Sequence, residues 1–192
     1  FKYDWAWQKY LDGCANHWMP QEINMTADVA TWKSEDDLTD DERRIVMRSL
    51  GYFSTADSLV ANNLVLGIYR LITNPECRQY LLRQAFEEAI HTHAYQYCIE
   101  SLGMDEGEVF NMYREVPSVH EKAAWALKWA NSKDSKFGQR LIAFSIVEGV
   151  FFSGSFCAIF WLKQRNLMVS GLGTSNELIS RDEGMHTDFA VL

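Results

Sequence analysis

The ten-residue stretch FEEAIHTHAY, residues 86–95, places two glutamates, two histidines and a tyrosine in an otherwise apolar segment. Side chains three residues apart lie on the same face of an α-helix, so Glu88 and His91 are predicted to point the same way. The later stretch ISRDEGMHTD repeats this spacing with Glu183 and His186. A Glu-x-x-His motif on each of two helices predicts that both helices present acidic and imidazole groups to one buried site.

The neighbouring residues leave one alternative open at the first motif. Glu87 lies four residues before His91 and could replace Glu88 as its partner, but the spacing of the second motif favours Glu88. His93 points about 200° away from His91 around a helix, which favours a surface position or a place behind the ligands. Two further histidines have no partner at ligand spacing and are predicted to be structural: His17 and His120.

Two isolated acids precede the motifs at similar distances. Asp57 lies within the apolar stretch YFSTADSLVANN, 31 residues before Glu88. Glu148 lies within the apolar stretch IAFSIVEGVFFSG, 35 residues before Glu183. The chain therefore repeats one arrangement, in which a helix with a single acid is followed by a helix with Glu-x-x-His.

The charge of these acids predicts metal ions. An isolated carboxylate in an apolar core must be protonated or paired, since burying an unpaired charge is costly. Two divalent cations would neutralise four carboxylates, and oxygen with imidazole ligands suits iron or manganese. Iron is the metal we expect, with manganese–iron and dimanganese pairs left open. The predicted ligands are Asp57, Glu88, His91, Glu148, Glu183 and His186.

Helical periodicity and a content of only three prolines predict an all-α bundle. The segment from Thr39 to Ile72 is predicted to be one unbroken helix. Thr39 is its N-cap before an acidic first turn, and the apolar residues continue to Ile72. The next helix is predicted to begin at an N-cap on Asn74, with Pro75 in its first position, and to stop at Gly103.

The two ends of the chain carry separate predictions. The last helix is expected to begin at Thr174 or Ser175. Residues 1–35, which hold four of the seven tryptophans, are expected to wrap the bundle as an irregular or short helical segment. The chain begins with Phe and stops within an apolar run, so residues 1–192 are interpreted as a single helical domain cut from a longer protein.

Composition excludes several function classes. The net charge of −8, without a basic cluster, argues against a nucleic-acid partner. The four scattered cysteines form no CxxC pair, which favours reduced thiols and a cytoplasmic location. The longest apolar runs are expected to fall short of a membrane span, so no membrane partner is predicted.

Tyr95 follows His91 by four residues and therefore shares the face that carries the ligands. Beside a metal pair that activates oxygen, its phenol becomes an oxidisable group. Phe152 and Phe156 follow Glu148 by four and eight residues and are expected to form an apolar wall around the site. An organic radical at Tyr95 would need such a dry shell to persist.

Four stretches carry a resemblance to a known family: RQAFEEAIHTHAY, VEGVFFSGSF, NELISRDEGMH and HWMPQEINM. Over nearly the whole chain they resemble the small, radical-generating subunit of class I ribonucleotide reductase. The resemblance implies a ferritin-like helical bundle with a dimetal site in its core. It implies six ligands, which are Asp57, Glu88 and His91 for metal one and Glu148, Glu183 and His186 for metal two.

The resemblance also implies a role in deoxyribonucleotide biosynthesis. Reduced metals and dioxygen would generate a neutral radical on Tyr95, which passes to the large catalytic subunit for reduction of ribonucleotides. Trp18 matches the tryptophan of the transfer route, and Asp182 matches the acid that joins this tryptophan to His91. A homodimer is implied as well.

Two departures from the family pattern bear on these expectations. Members usually continue with further helices and a flexible tail that binds the large subunit and carries a relay tyrosine, and none of these follows Leu192 in this sequence. Some relatives replace the radical tyrosine with phenylalanine and use a manganese–iron pair. Tyr95 and the aspartate at position 57 favour the tyrosyl version.

Three other functions remain alternatives from the sequence. A ligand-binding dimetal oxidase or hydroxylase would keep all six ligands but would need a substrate cavity and no radical at Tyr95. A ferritin-type storage protein would need surfaces that build a cage, which residues 1–35 do not suggest. A metal-free structural bundle would leave four buried acids without a counter-charge.

Overall fold

The computed structural model describes the backbone of residues 1–192 and the side chains of all of them except Asn63, Leu64 and Leu66. Within these residues the regular structure is helical, with no β-strand, as predicted. The α-helices in chain order are α1 (Asp4–Ala15), α2 (Thr26–Lys33), α3 (Asp40–Leu59), α4 (Leu66–Tyr69), α5 (Pro75–Leu102), α6 (Glu106–Glu115), α7 (Pro117–Asn131), α8 (Phe137–Ile146), α9 (Ser153–Gln164) and α10 (Thr174–Val191).

The predicted helix ends are confirmed where a side chain or a glycine specifies them. The Thr39 hydroxyl accepts a hydrogen bond from the backbone of Glu42 (3.3 Å), and the Glu42 carboxylate accepts one from the backbone of Thr39 (2.7 Å). This reciprocal pair starts α3. At α5, the Asn74 side chain accepts a hydrogen bond from the backbone three residues on (2.9 Å), and Pro75 follows it. Gly103 ends α5 with φ of 68°.

Three of the long helical runs contain a widened π-helical stretch, and the one at Val169–Gly173 leads directly into α10. Residues Val60–Val65 form such a stretch between α3 and α4, and helical structure ends at Tyr69. Helical structure is thus continuous from Asp40 to Tyr69, so the predicted helix is unbroken, and the prediction is wrong only at its C-terminal end, which lies before Ile72. A second stretch, Val147–Phe151, separates α8 from α9. Single π-turns inside helices are frequent at functional sites, and this one carries Glu148.

The N-terminal segment packs against the bundle, and α1 is a more regular helix than the sequence suggested. Helix α1 packs along α5, and a short 3₁₀ turn, Pro20–Glu22, leads to α2. The buried carboxylate of Asp28 accepts hydrogen bonds from the backbones of Gly171 (3.0 Å) and Leu172 (2.7 Å). Through these bonds α2 fixes the turn from which α10 begins.

Four helical rods surround the centre of the molecule: α3 with its π stretch, α5, the α8–α9 pair and α10. Helix α3 packs against α5 and α9, and α10 packs against α8. Their apolar contacts are made largely by fully buried side chains, among them Tyr80, Phe53, Phe144, Phe152, Leu50, Ile99 and Ile159. The middle of this core is polar, and it holds the site described below.

The run Phe137–Gln164 spans 28 residues and is long and apolar enough, by length and composition alone, to cross a membrane. The prediction that no apolar run reaches this length is therefore wrong. The core helix of a soluble protein can be equally long and apolar. This helical run buries Glu148 in the middle of the bundle. It is weak support for a membrane segment.

Candidate metal centre

Six polar side chains from the four rods meet in the middle of the core, and each is no more than 2% exposed. They form two overlapping groups whose potential ligand atoms lie within 4.8 Å of one another. One group contains Asp57 and His91, the other contains Glu148 and His186, and both contain Glu88 and Glu183. The structure thus brings together all six residues that the sequence singled out. The carboxylates of Glu88 and Glu183 are shared between the two candidate metal positions.

Both histidines turn the same ring nitrogen toward the shared carboxylates. His91 Nδ1 lies 3.1 Å from Glu183 Oε1, 3.6 Å from Glu88 Oε2 and 3.7 Å from Asp57 Oδ2. His186 Nδ1 lies 3.0 Å from Glu88 Oε1 and 3.3 Å from Glu183 Oε2. In both rings Nε2 points outward to a different acid, which leaves Nδ1 as the atom available to a metal.

The oxygens of this cluster fit cationic ligands. Among the described residues, several buried carboxylate oxygens have no hydrogen-bond partner, namely both oxygens of Asp57, Glu88 and Glu148 and Oε1 of Glu183. An ionised oxygen that is buried without a donor is strongly unfavourable unless a cation compensates it. The donor set of carboxylates and imidazoles suits iron or manganese. The cluster could therefore hold a dimetal site.

Without cations the cluster must retain protons. Burial raises the pKa of Asp57 well above its ordinary value, and the nearby charges of Glu88 and Glu183 raise it further. Burial raises the pKa of Glu148 in the same way, again with help from Glu183 and Glu88. The two isolated acids are thus the proton-holding members of the metal-free cluster.

Glu183 and the two histidines favour their charged forms. Burial alone would raise the pKa of Glu183, but close polar contacts with Glu148, His186 and His91 lower it below its ordinary value. Burial opposes the charged form of His91, yet Asp182 and the other surrounding carboxylates raise its pKa well above the usual value, and Tyr80 and the neighbouring carboxylates raise the pKa of His186. Divalent cations would replace these protons, because they bind the same atoms.

Trp18 and Asp182 form a hydrogen-bonded pair beside His91. The Trp18 indole Nε1 donates to Asp182 Oδ2 (2.9 Å), and the same oxygen lies 3.2 Å from His91 Nε2. Burial would raise the pKa of Asp182, but the hydrogen bond with His91 and the indole lower it. The Trp18 and His91 rings lie 6.2 Å apart at 23°. A continuous hydrogen-bonded path therefore joins the N-terminal segment to the cluster.

Glu87 holds the other histidine and was not predicted to do so. Its Oε2 lies 2.7 Å from His186 Nε2, and its Oε1 accepts from Arg83 Nε (2.9 Å). The alternative in which Glu87 replaces Glu88 beside His91 is not what the structure shows. One signal was present in the sequence, since Glu87 and Asp182 each immediately precede the glutamate of a Glu-x-x-His motif.

Tyr95 is buried among aromatic side chains. It is 3% exposed, and its hydroxyl has no hydrogen-bond partner among the described residues. Its ring stacks on Phe53, with centroids 5.1 Å apart at 9°. Phe152 and Phe156 lie 5.8 Å and 5.0 Å from Phe53. Phe152 and Phe156 thus lie in one aromatic cluster with Phe53, and Phe53 stacks on Tyr95. Sequence reasoning missed Phe53 although it lies four residues before Asp57 on α3.

The remaining histidines stay outside the cluster. His93 is exposed on α5, in agreement with its predicted direction. His17 is exposed and its Nδ1 lies 3.5 Å from Arg83 Nη2, while His120 is exposed on α7.

A helical bundle with two Glu-x-x-His motifs and two further inward acids defines the class of carboxylate-rich dimetal proteins. The family model described as "Ribonucleotide reductase, small chain" matches residues 1–192, and the chain belongs to this family. The predicted resemblance and the ferritin-like fold are thereby confirmed.

Individual relatives agree with this assignment. Over 99% of its length the chain is 47% identical to the ribonucleoside-diphosphate reductase subunit beta of Chlamydia pneumoniae, of which it covers 58%. It is 42% identical to small chain 1 of Saccharomyces cerevisiae, of which it covers 48%. Among solved structures, the ribonucleotide reductase Rnr4 homodimer from Saccharomyces cerevisiae shares 30% identity and a TM-score of 0.87, with 99% of this chain and 60% of that chain covered. The chain thus spans about half the length of these curated relatives.

Proposed function

We propose that this chain is the metal-binding core of a ribonucleoside-diphosphate reductase small subunit, which forms a radical on Tyr95 for the reduction of ribonucleotides to deoxyribonucleotides. The observation that carries the proposal is the convergence of six buried ligand-type side chains, with unpaired oxygens, on the helix face that also bears Tyr95. Membership of the small-chain family supports it.

Each metal would be held by one acid of its own, one histidine and two shared glutamates. Asp57 and His91 would hold metal one, and Glu148 and His186 would hold metal two. The resemblance assigns Glu88 to metal one and Glu183 to metal two. Both glutamates belong to both residue groups, which supports a role for each in binding the two metals. Iron is the metal we propose, and manganese is compatible with the same donor set.

With reduced metals and dioxygen, such a centre supplies a one-electron oxidant. Burial raises the pKa of Tyr95 well above its ordinary value, with further contributions from Asp57 and Glu183, so the side chain is a neutral phenol. Oxidation of this phenol removes an electron and also the proton on its Oη. The burial of the phenol and the stacked Phe53 ring would keep water away from the resulting radical.

The radical would leave the core through the path from His91 to Asp182 and Trp18. Asp182 holds the imidazole and the indole on the same oxygen, which fixes their relative positions. Trp18 is 5% exposed, whereas its neighbours His17 and Met19 lie at the surface. The path thus ends beneath a surface that the large catalytic subunit could cover.

The setting proposed for this function is a homodimer in the cytoplasm, working with the large subunit. The related Rnr4 protein is a homodimer by its description. The four cysteines are free thiols in the structure, which suits a reducing compartment.

The test is iron loading of the metal-free protein in air, followed by electron paramagnetic resonance. A tyrosyl signal is expected from the wild-type chain and is expected to vanish in Tyr95→Phe. Tyr97→Phe is the matched control, because Tyr97 lies on the same helix, is half-buried and donates to a backbone carbonyl (3.3 Å). A signal that survives in Tyr95→Phe would refute the radical assignment.

A ligand-binding oxidase, the alternative within the same superfamily, would need a substrate cavity at the metals. An apolar cavity of about 290 Å³ lies under the N-terminal segment, lined by Trp5, Ile72, Leu81, Phe144 and Phe189 among others. None of the six ligand-type residues lines it. This cavity is therefore separate from the proposed metal site.

A further inference from the structure

Each histidine of the cluster is held from behind by an acid that belongs to the other Glu-x-x-His helix. Asp182 on α10 contacts His91 on α5, with a distance of 3.2 Å between Oδ2 and Nε2. Glu87 on α5 contacts His186 on α10, with a distance of 2.7 Å between Oε2 and Nε2. The two acids occupy equivalent sequence positions, one residue before the shared glutamate of their own motif. Each of the two helices therefore supplies the acid that contacts the outer nitrogen of the other helix's histidine.

We propose that Glu87 is the positioning residue of His186: it fixes the imidazole with Nε2 outward and protonated, so that Nδ1 is presented to the second metal. This inference rests on the proposed metal centre and adds a residue to it. The reason is geometric, because Nδ1 already faces the cluster at 3.0 Å from Glu88 and 3.3 Å from Glu183 while Nε2 is taken up by Glu87. Carboxylates behind metal-bound histidines orient the ring and select its tautomer.

Glu87 is itself held in place on its other oxygen. Arg83 donates to Oε1 at 2.9 Å, and the two side chains are 12% and 3% exposed. The ion pair is covered by α1 at Gly13, where a Cβ atom would lie 2.9 Å from Glu87 Oε1 and 3.1 Å from Arg83 Cγ. Because only glycine leaves this space, α1 can pass directly over the pair and shield it from water.

The two acids differ in one partner. Both accept from a guanidinium, Asp182 from Arg181 and Glu87 from Arg83, but only Asp182 also accepts from Trp18, an oxidisable aromatic group. Glu87 is therefore assigned to positioning alone. Its removal is expected to weaken the second metal position and to leave the path through His91 intact.

Manganese binding tests the proposal, with Mn²⁺ titrated into the metal-free full chain and free Mn²⁺ counted by its paramagnetic resonance signal. Glu87→Gln is expected to weaken one of two equivalents about 10–100-fold, the usual cost of losing such an outer partner, and to leave the other nearly unchanged. Glu87→Leu, which removes the acceptor altogether, is expected to weaken the same equivalent further. Asp182→Asn is the matched variant for the other histidine, and Glu100→Gln, at an exposed position on α5, is the control.

Imidazole NMR shows which histidine responds. In the Zn²⁺-loaded protein labelled with ¹⁵N-histidine, the Nε2 protons of His186 and His91 are expected downfield because both face carboxylates. Glu87→Gln is expected to shift the His186 signal alone, and Asp182→Asn the His91 signal alone, effects that a general loss of stability would not separate. Two bound ions with unchanged affinities in Glu87→Gln and Glu87→Leu, or equal weakening of both, would overturn the inference. Failure of the wild-type chain to bind metal would instead refute the proposed function.

Discussion

The two Glu-x-x-His halves of the molecule share a ligand plan but differ in what surrounds it. Each half supplies an isolated acid, a shared glutamate, a histidine and an acid that contacts the histidine of the other half. The position four residues after His91 is Tyr95, whereas the position four residues after His186 is Ala190. Asp182, behind His91, is bonded to Trp18 as well as to Arg181, whereas Glu87, behind His186, is bonded to Arg83. The ligand-type residues are therefore arranged symmetrically, whereas Tyr95 and the hydrogen-bonded Trp18 lie on the His91 side only.

The largest expected effect tests the symmetric part of this comparison. His91→Ala and His186→Ala are each expected to weaken one metal equivalent by more than the roughly 10–100-fold that follows loss of an outer partner, because a ligand itself is removed. Metal content after loading and desalting, measured by inductively coupled plasma mass spectrometry, gives the result. His93→Ala, on the exposed face of α5, is the control. If either variant retained both ions, the two halves would not contribute equivalent ligands.

The second prediction concerns the one-sided part of the comparison. Phe53→Ala is expected to lower the free energy of unfolding by about 3–5 kcal/mol, as is usual when a buried ring is removed, and to shorten the lifetime of a radical on Tyr95. Phe144→Ala is the matched variant, since Phe144 is equally buried on α8 and lines the apolar cavity instead. It should cost similar stability without changing the radical. Equal radical lifetimes in the two variants, followed by paramagnetic resonance, would show that Phe53 does not protect Tyr95.

The third prediction is a pH dependence that cations reverse. Asp57, Glu148, His91 and His186 have raised pKa values in the fold, so the metal-free native state binds more protons than the unfolded chain. The stability of the metal-free protein should therefore fall as pH rises above about 4.5, by about 1.4 kcal/mol per pH unit for each extra proton held. Glu183, whose pKa is lowered, acts in the opposite direction only below its ordinary value of 4.5.

Thermal unfolding at pH 5.5, 6.5 and 7.5, with chelator and with saturating Mn²⁺, checks this sign. The metal-loaded protein should gain stability over the same range, because cations require the deprotonated ligands. A metal-free protein that becomes more stable from pH 5.5 to 7.5 would contradict the proton-holding state of the cluster.

The comparison also shows which features a single sequence can reveal. Glu88, His91, Glu183 and His186 were predictable because the i, i+3 geometry of a helix fixes which side chains share a face, and the spacing occurs twice. Asp57 and Glu148 were predictable because each is an isolated acid in an apolar stretch. The bond between Glu87 and His186 was not, because it joins residues 99 positions apart and depends on how α5 and α10 are rotated. Phe53 was missed for the same reason. The π stretch around Glu148 escaped prediction because apolar periodicity does not distinguish it from a regular helix.

The smallest expected effect tests how the halves are joined. Thr39 caps α3, and the Glu42 carboxylate that completes this cap also pairs with Arg165, just after α9. Asn74 caps α5 through a single bond within the first half. Loss of either cap should cost about 1 kcal/mol. Thr39→Ala should cost more than Asn74→Ala, because it also frees a carboxylate that links the first half to the second. Urea unfolding gives the two free energies. A double variant with Arg165→Gln separates the link between the halves from the cap. If Thr39→Ala costs as much stability with Arg165→Gln as without it, the cap stabilises α3 alone and the halves are held together by the central cluster.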